Sequence, residues 1–201
     1  QQRYGTPLYG LNKLYLLMEK QHNRGQDGAG VGAIKLDPVP GTAYIDRYRS
    51  TDKQAIQKIF ERIHRGVDEV AKADPGAIKD AVRLKRTVPF MGEVLLGHLR
   101  YATFGKDGEE NCHPRRRLNN WMTRNLVVAG NFNMTNVDEL FELLVSIGQT
   151  PKERSDTMTV LEKIGHFLDV ENDRLAQLHR QLGYNERQIS QLIAEKLDVR
   201  Q

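Results

Sequence analysis

The stretch NRGQDGAGVGAI, residues 23–34, limits the fold more than any other part of the chain. It holds four glycines, Gly25, Gly28, Gly30 and Gly32, behind an arginine and beside an acid. Such a run can cradle phosphate, turn the chain into a strand, or wall an active site. A dinucleotide-binding loop runs strand, glycines, helix, because the helix N-terminus carries the pyrophosphate. Here the order is reversed. Leu8, Leu11, Leu14, Tyr15 and Met18 recur upstream at helical spacing, while AGVGAIKL downstream is small and β-branched, as in a strand. The phosphate reading is weak, since a lone glycine pattern has little specificity. A helix stopped at Gly25 and a tight entry into a buried strand would account for the glycines. It would not account for Arg24, Gln26 and Asp27 side by side.

The remaining elements follow from periodicity and turn chemistry. A helix is expected over 8–22, a strand near 29–36, a turn at DPVPGT (37–42) and a second strand at AYIDRYR. Ser50 or Thr51 is placed to cap a helix over about 52–72, which ADPGA breaks before a short helix to about 85. GEVLLGHLRYA (92–102) and NLVVAGN (125–131) read as strands on either side of a long polar loop. Asn136 with Glu139 is a capping-box pair opening a helix to about 147. Residues 155–198 read as three short helices, with Asn185 and Gln188 as another capping signal. Leu175, Leu178, Leu182, Ile189, Leu192, Ile193 and Leu197 supply their apolar faces. Irregular alternation of strands and helices implies an α+β layered core. Four strands are few for so many helices, and the chain opens on Gln1, so residues 1–201 are expected to be part of a larger domain.

Bulk properties exclude little but exclude it clearly. No run approaches the ~18 apolar residues of a membrane-spanning helix. The single cysteine, Cys112, forbids an internal disulfide and fits a reducing, cytoplasmic setting. The formal charge of +4 is too mild to argue for nucleic acid. The six histidines show no zinc-like spacing, and neither a metal nor a cofactor is expected.

Chemistry concentrates in four segments: NRGQDGAG (23–30), GHLRYATFG (97–105), AGNFNMTN (129–136) and RSDTM (154–158). Each places polar groups at a strand end or a helix start, where sites are commonly built. In this order they resemble the glutaminase domain of the class II glutamine amidotransferases, whose nucleophile is N-terminal. That family shows Arg-Gly-Gln-(Asp/Glu)-Ser-Ala-Gly, and this chain has Arg24 to Gly30 with Gly28 in the serine place. It shows Gly-His-Thr-Arg-(Tyr/Trp)-(Ala/Ser)-Thr, matched by Gly97 to Thr103 with Leu99 as the variant. It shows Asn-Gly-Asn-Leu-Thr-Asn, matched by Asn131 to Asn136, and an Asp-Thr pair, matched by Asp156 and Thr157. Tyr101 and the NMTN element are most similar to the amidophosphoribosyltransferase branch, which acts in purine synthesis.

The resemblance implies a four-layer αββα N-terminal-nucleophile hydrolase fold, one amidotransferase domain over residues 1–201 that lacks its cysteine-bearing first strand and its last strands. It implies a glutaminase that passes ammonia to a synthase domain, assembly into a homo-oligomer, and glutamine as substrate, with phosphoribosyl pyrophosphate as acceptor in a domain outside these residues. No phosphoribosyltransferase signature lies within them. Arg100 would clamp the glutamine carboxylate with its planar fork, Thr103 would donate its hydroxyl, and Asp156 would accept from the ammonium. Asn131 and the backbone N–H of residue 132 would hold the oxyanion. The family has glycine where this chain has Phe132, which puts that donor in question. Arg24 and Gly25 would form the active-site wall.

The nucleophile is the largest gap. The family attacks with an N-terminal cysteine whose own amine is the base, and residue 1 here is glutamine. Cys112 beside His113 is a poor substitute, because adjacent residues of an extended loop point apart. Two other readings stay open. One is an inactive glutamine-binding domain. The other is a phosphate- or nucleic-acid-binding module built on Arg115, Arg116 and Arg117 with Arg124 and Trp121, a cluster whose plainest reading is a solvated loop.

Overall fold

The computed structural model describes residues 4–101, 108–131 and 133–196. The chain divides into two compact units, Gln1–Pro114 and Arg115–Gln201. Both mix helix and strand, with small antiparallel sheets.

In the first unit, helix α1 (Tyr9–Gln21) precedes strands β1 (Ala29–Ile34) and β2 (Ile45–Ser50), helices α2 (Ala55–Ala73) and α3 (Ala81–Thr87), and strand β3 (Val94–Leu99). The sheet order is β2–β1–β3, all antiparallel, with Val31 opposite Tyr48 on one side and Gly97 on the other. Strand alternation sends Ala29, Val31 and Ala33 to one face. There they meet Leu11 and Met18 of α1 and Ile56, Ile59, Phe60 and Ile63 of α2, the apolar stripes that helical spacing predicts. Each of these larger side chains contributes about 1.5–3 kcal/mol by leaving water. The opposite face of β1 carries Gly30, Gly32 and the half-buried Ile34, and both glycines are buried. At Gly30 the reason is direct: a Cβ there would lie 1.8 Å from the His113 carbonyl oxygen. At Gly97 a Cβ would lie 2.7 Å from Met18 Sδ, so α1 lies tight on β3.

Lys35, at the end of β1, is buried. Its ammonium donates to the Val88 carbonyl at 3.0 Å and faces Asp46 at 3.6 Å, while Asp46 accepts the Phe90 N–H at 2.9 Å. These bonds tie β2 to the chain between α3 and β3.

The second unit contains a ribbon of β4 (Arg115–Arg117) and β5 (Leu126–Val128), then α4 (Val137–Ser146), α5 (Asp156–Gln181) and α6 (Glu186–Lys196). Five differences from expectation have physical reasons. Ser50 and Thr51 do not cap α2, which begins after Gln54 without a side-chain cap; Ser50 bonds Asp52 instead. Asp80, overlooked in the sequence, caps α3 by accepting from the N–H groups of Val82 and Arg83. Asn136 precedes α4 but makes no side-chain cap bond, so that capping box is not formed. The arginine run expected in a solvated loop is a strand. Residues 155–198 hold two helices within the described range, not three: α5 runs unbroken through Gly165, where a Cβ would lie 2.6 Å from Arg117 Cδ. The Asn185–Gln188 box is formed, with both reciprocal bonds at 3.0 Å. Ile189 and Ile193 pack on Ala176 as expected, but Leu178 and Leu182 face outward, and Leu197 lies outside the described residues.

Candidate active site

Two of the four motif segments meet at one end of the first unit's sheet, where β1 begins and β3 finishes. Arg100 follows β3 directly. Its N–H donates to the Gly28 carbonyl at 2.8 Å, and its carbonyl accepts from Asp27 N–H at 3.1 Å. Its guanidinium Nη1 donates to the Asp27 carbonyl at 3.4 Å, and the residue is only 8% exposed. Arg24, Gln26 and Asp27 are exposed beside it. Gly25 does not stop the helix. α1 ends at Gln21, a single 3-10 turn covers His22–Arg24, and Gly25 is extended with φ −172°. Its glycine identity comes from proximity: a Cβ would lie 2.7 Å from the Arg100 carbonyl oxygen and 2.8 Å from the Leu99 carbonyl carbon.

Gly28, in the family's serine place, has φ +146°, which side chains rarely tolerate. A Cβ there would lie 2.7 Å from Cys112 Sγ and 2.9 Å from the Ser50 carbonyl oxygen. Cys112 is fully buried and its thiol donates to that Ser50 carbonyl at 3.7 Å. The His113 ring lies against His98, with centroids 4.7 Å apart. A thiol packed in this way is shielded from any substrate arriving through solvent.

In the second unit, β5 feeds Asn131, which is exposed. The segment after it turns back onto the start of α5: Met134 N–H donates to Asp156 Oδ2 at 3.0 Å. Ser155 caps α5 by accepting from Met158 N–H and also donates to Glu153, whose carboxylate receives Arg115 at 2.6 Å. Asp156 is therefore the first helical residue and not the cap, and Thr157 beside it is buried. Thr103 and Phe132 lie outside the described residues.

Arg115, Arg117 and Arg124 of the basic cluster are paired with carboxylates. Arg117 forks onto Asp169 with bonds of 3.1 and 2.5 Å and lies 3.5 Å from Glu162. The hydrogen bonds to Asp169 hold its guanidinium pKa above the usual arginine value, against burial, with help from the charges of Asp169 and Glu162. Arg124 pairs with Asp169 and Asp173, over the Trp121 ring. These cations serve the β4–α5 contact. In the first unit, a cavity of about 220 Å³ between the 37–42 turn and α3 lies at the far end of β1 from Arg100. Lys85, on its wall, is engaged by Glu93 and the Leu36 carbonyl. No described helix is long and apolar enough to cross a membrane.

Comparison with known proteins agrees with the motif reading. Residues 57–193 match the family model of the class-II glutamine amidotransferases, a span that includes Arg100, Asn131 and Asp156 and leaves Arg24–Gly30 ahead of it. Relatives include three enzymes named glutamine–fructose-6-phosphate aminotransferase (isomerizing). The one from Sulfurisphaera tokodaii is 34% identical over 100 residues, 50% of this chain and 16% of that enzyme. That of Tropheryma whipplei is 26% identical over 121 residues, 60% and 18% respectively. That of Sulfolobus acidocaldarius is 26% identical over 132 residues, 58% and 22%. The matched region spans no more than about a fifth of these curated relatives. Their names give no support to the amidophosphoribosyltransferase branch suggested by Tyr101 and NMTN. The family match covers more than half of the sequence, and the chain belongs to the class II glutamine amidotransferases.

Proposed function

We propose that this chain is the glutamine-binding and ammonia-releasing part of an amidotransferase whose acceptor is a sugar phosphate. The observation that carries the reading is the bond between Asp156 and Met134 N–H. It fastens the carboxylate assigned to the substrate ammonium to the segment assigned to the oxyanion. Arg100 would clamp the α-carboxylate, with Thr103 donating beside it, against the Arg24–Gly25 wall. Asp156 would take the ammonium, so that opposite charges select a zwitterionic amino acid over a neutral amide. The side-chain amide carbonyl then becomes tetrahedral. Asn131 and the N–H of Phe132 would receive the developing oxyanion, the interaction that most lowers such a barrier.

The nucleophile of this scheme would be an N-terminal cysteine, and residue 1 here is glutamine. The buried Cys112 favours a second reading for the present chain taken alone: glutamine binding without turnover. For the acceptor, the relatives' names favour fructose 6-phosphate, and phosphoribosyl pyrophosphate is the competing choice.

The test follows ammonia release from glutamine by the chain and by a longer gene product bearing the cysteine, with each acceptor in turn. Turnover only in the longer product, raised by fructose 6-phosphate, is the expected result. Asp156→Asn removes the charge but leaves an oxygen for Met134 N–H, and should raise KM while sparing kcat. Asp156→Ala removes both and should lower kcat as well. Equal kcat in the two variants would sever Asp156 from the oxyanion segment. Strong turnover by the present chain, abolished by Cys112→Ala, would overturn the mechanism.

A further inference from the structure

The start of α5 is tied back to the β4–β5 ribbon through a chain of three side chains. Arg115, 8% exposed, opens β4 and stands opposite Val128 of β5, the strand that leads to Asn131. Its guanidinium donates to Glu153 Oε1 at 2.6 Å, while its buried Nε meets no partner among the described residues. Among those residues Glu153 is the carboxylate that holds this cation. The same Oε1 accepts the Ser155 hydroxyl at 2.8 Å. An ionised carboxylate can only accept, so the serine proton points at Glu153 and the serine lone pairs are left for the Met158 N–H.

This arrangement bears on the next residue. The first N–H groups of a helix have no partner within it and attract nearby carboxylates. Asp156, in the first turn of α5, is placed to fold back over those groups if they are left open. With the Met158 N–H given to Ser155, the Asp156 carboxylate reaches instead to the segment that follows β5. Its Oδ2 accepts from Met134 N–H at 3.0 Å, and its Oδ1 accepts no hydrogen bond from the described residues. We propose that Arg115, Glu153 and Ser155 are positioning residues of the glutamine site: by fixing the Ser155 cap they keep the Asp156 carboxylate off its own helix and turned to the substrate α-ammonium. The proposal rests on the assignment of Asp156 to that ammonium. It adds Arg115 and Glu153, which lie outside the four motif segments.

Calorimetry on the full chain tests this with two amides: glutamine, and 4-carbamoylbutanoate, which is glutamine without its α-ammonium. Wild type is expected to prefer glutamine about tenfold, the scale of one charge-assisted hydrogen bond. Asp156→Asn should abolish the preference. Ser155→Ala should cut it to about threefold or less while leaving affinity for 4-carbamoylbutanoate unchanged, and Ser155→Thr should restore it. Glu153→Ala would strand the buried Arg115 cation, so Glu153→Gln, which keeps the acceptor and drops the charge, is the milder probe and should fall between. Helical content followed by circular dichroism checks that each variant is folded. If Asp156→Asn removes the preference but Ser155→Ala keeps it in full, or weakens both amides in equal proportion, the positioning role is overturned and the glutamine reading stands. A wild type that does not distinguish the two amides, or an Asp156→Asn variant that still does, would overturn the assignment of Asp156 and the positioning role with it.

Discussion

Replacing Gly30 with alanine adds one methyl carbon to the central strand, and the structure gives its cost. The new Cβ would stand 1.8 Å from the His113 carbonyl oxygen, 2.8 Å from its carbon and 3.1 Å from Arg49 Cγ. None of these can retreat easily. Gly30 is paired with Arg49 on one side and His98 on the other, and Arg49 Nη1 holds the carbonyls of Glu110 and Cys112 at 3.0 and 2.9 Å. The methyl must therefore push the covering segment off the sheet or distort β1 itself. Overpacking of this kind costs about 1–3 kcal/mol, and the 1.8 Å approach to backbone puts Gly30→Ala at or above the top of that range. For a unit of this size the melting temperature should fall by about 10–20 °C. Gly66→Ala, mid-helix in α2 with open space around it, is the control and should be stabilising by about 0.5–1 kcal/mol. Thermal unfolding by circular dichroism reads both, and hydrogen exchange over 29–34 places the loss in β1. A Gly30→Ala variant that melts with wild type would refute the claim that the second face of β1 is closed by the 112–114 backbone.

Asp46→Ala should cost about 3–5 kcal/mol in urea titrations, because it strands the buried Lys35 ammonium and the Phe90 N–H together. Gly28→Ser, which installs the family's residue, should destabilise this chain. Adding Cys112→Ala should recover only part of the loss, since the positive φ and the Ser50 carbonyl remain. Burial pushes the Glu93 carboxyl up, but hydrogen bonds from Lys85 and the Leu36 N–H outweigh it and hold the pKa below the ordinary 4.5. A depressed carboxyl stabilises the fold above its unfolded value and loses that contribution as pH falls. The melting-temperature gap between wild type and Glu93→Gln should therefore be full at about pH 6 and close by about pH 3, and a gap that widens in acid would contradict the sign.

The parts of the fold legible in the sequence are those whose signal is local. Ile56, Ile59, Phe60, Ile63 and Val67 announce α2 by spacing alone, and all five are buried. β1 and β3 are short apolar runs bounded by turns and fall within the expected spans. Strand β4 was not legible, because Arg115–Arg117 has no apolar alternation. Its order comes from carboxylates 38 to 52 residues away, Glu153 and Asp169. The continuity of α5 was missed for the same reason. Mid-helix, the guanidinium stem of Arg117, 48 residues distant, fills the space that a side chain at Gly165 would need.

At the site, residue types were legible through the motif pattern, while the reasons for two departures from that pattern were not. Gly28 stands where the family has serine, and Cys112 is a lone cysteine with no evident task. The structure makes them one fact. A side chain at 28 would have to share space with the Cys112 sulfur and the Ser50 carbonyl to which that thiol donates. The cysteine fills the volume that the absent serine leaves, and being filled, it is closed to solvent. Arg100 binds the Gly28 carbonyl through its own N–H, so the packing that disposes of the cysteine also fixes the backbone of the arginine assigned to the substrate carboxylate. A catalytic role for Cys112 would require it to leave this pocket, and its departure would open a hole beside Gly28 and release the thiol's bond to Ser50. Chemistry at residue 112 would therefore disturb the packing beside Gly28, the residue whose carbonyl holds the Arg100 N–H.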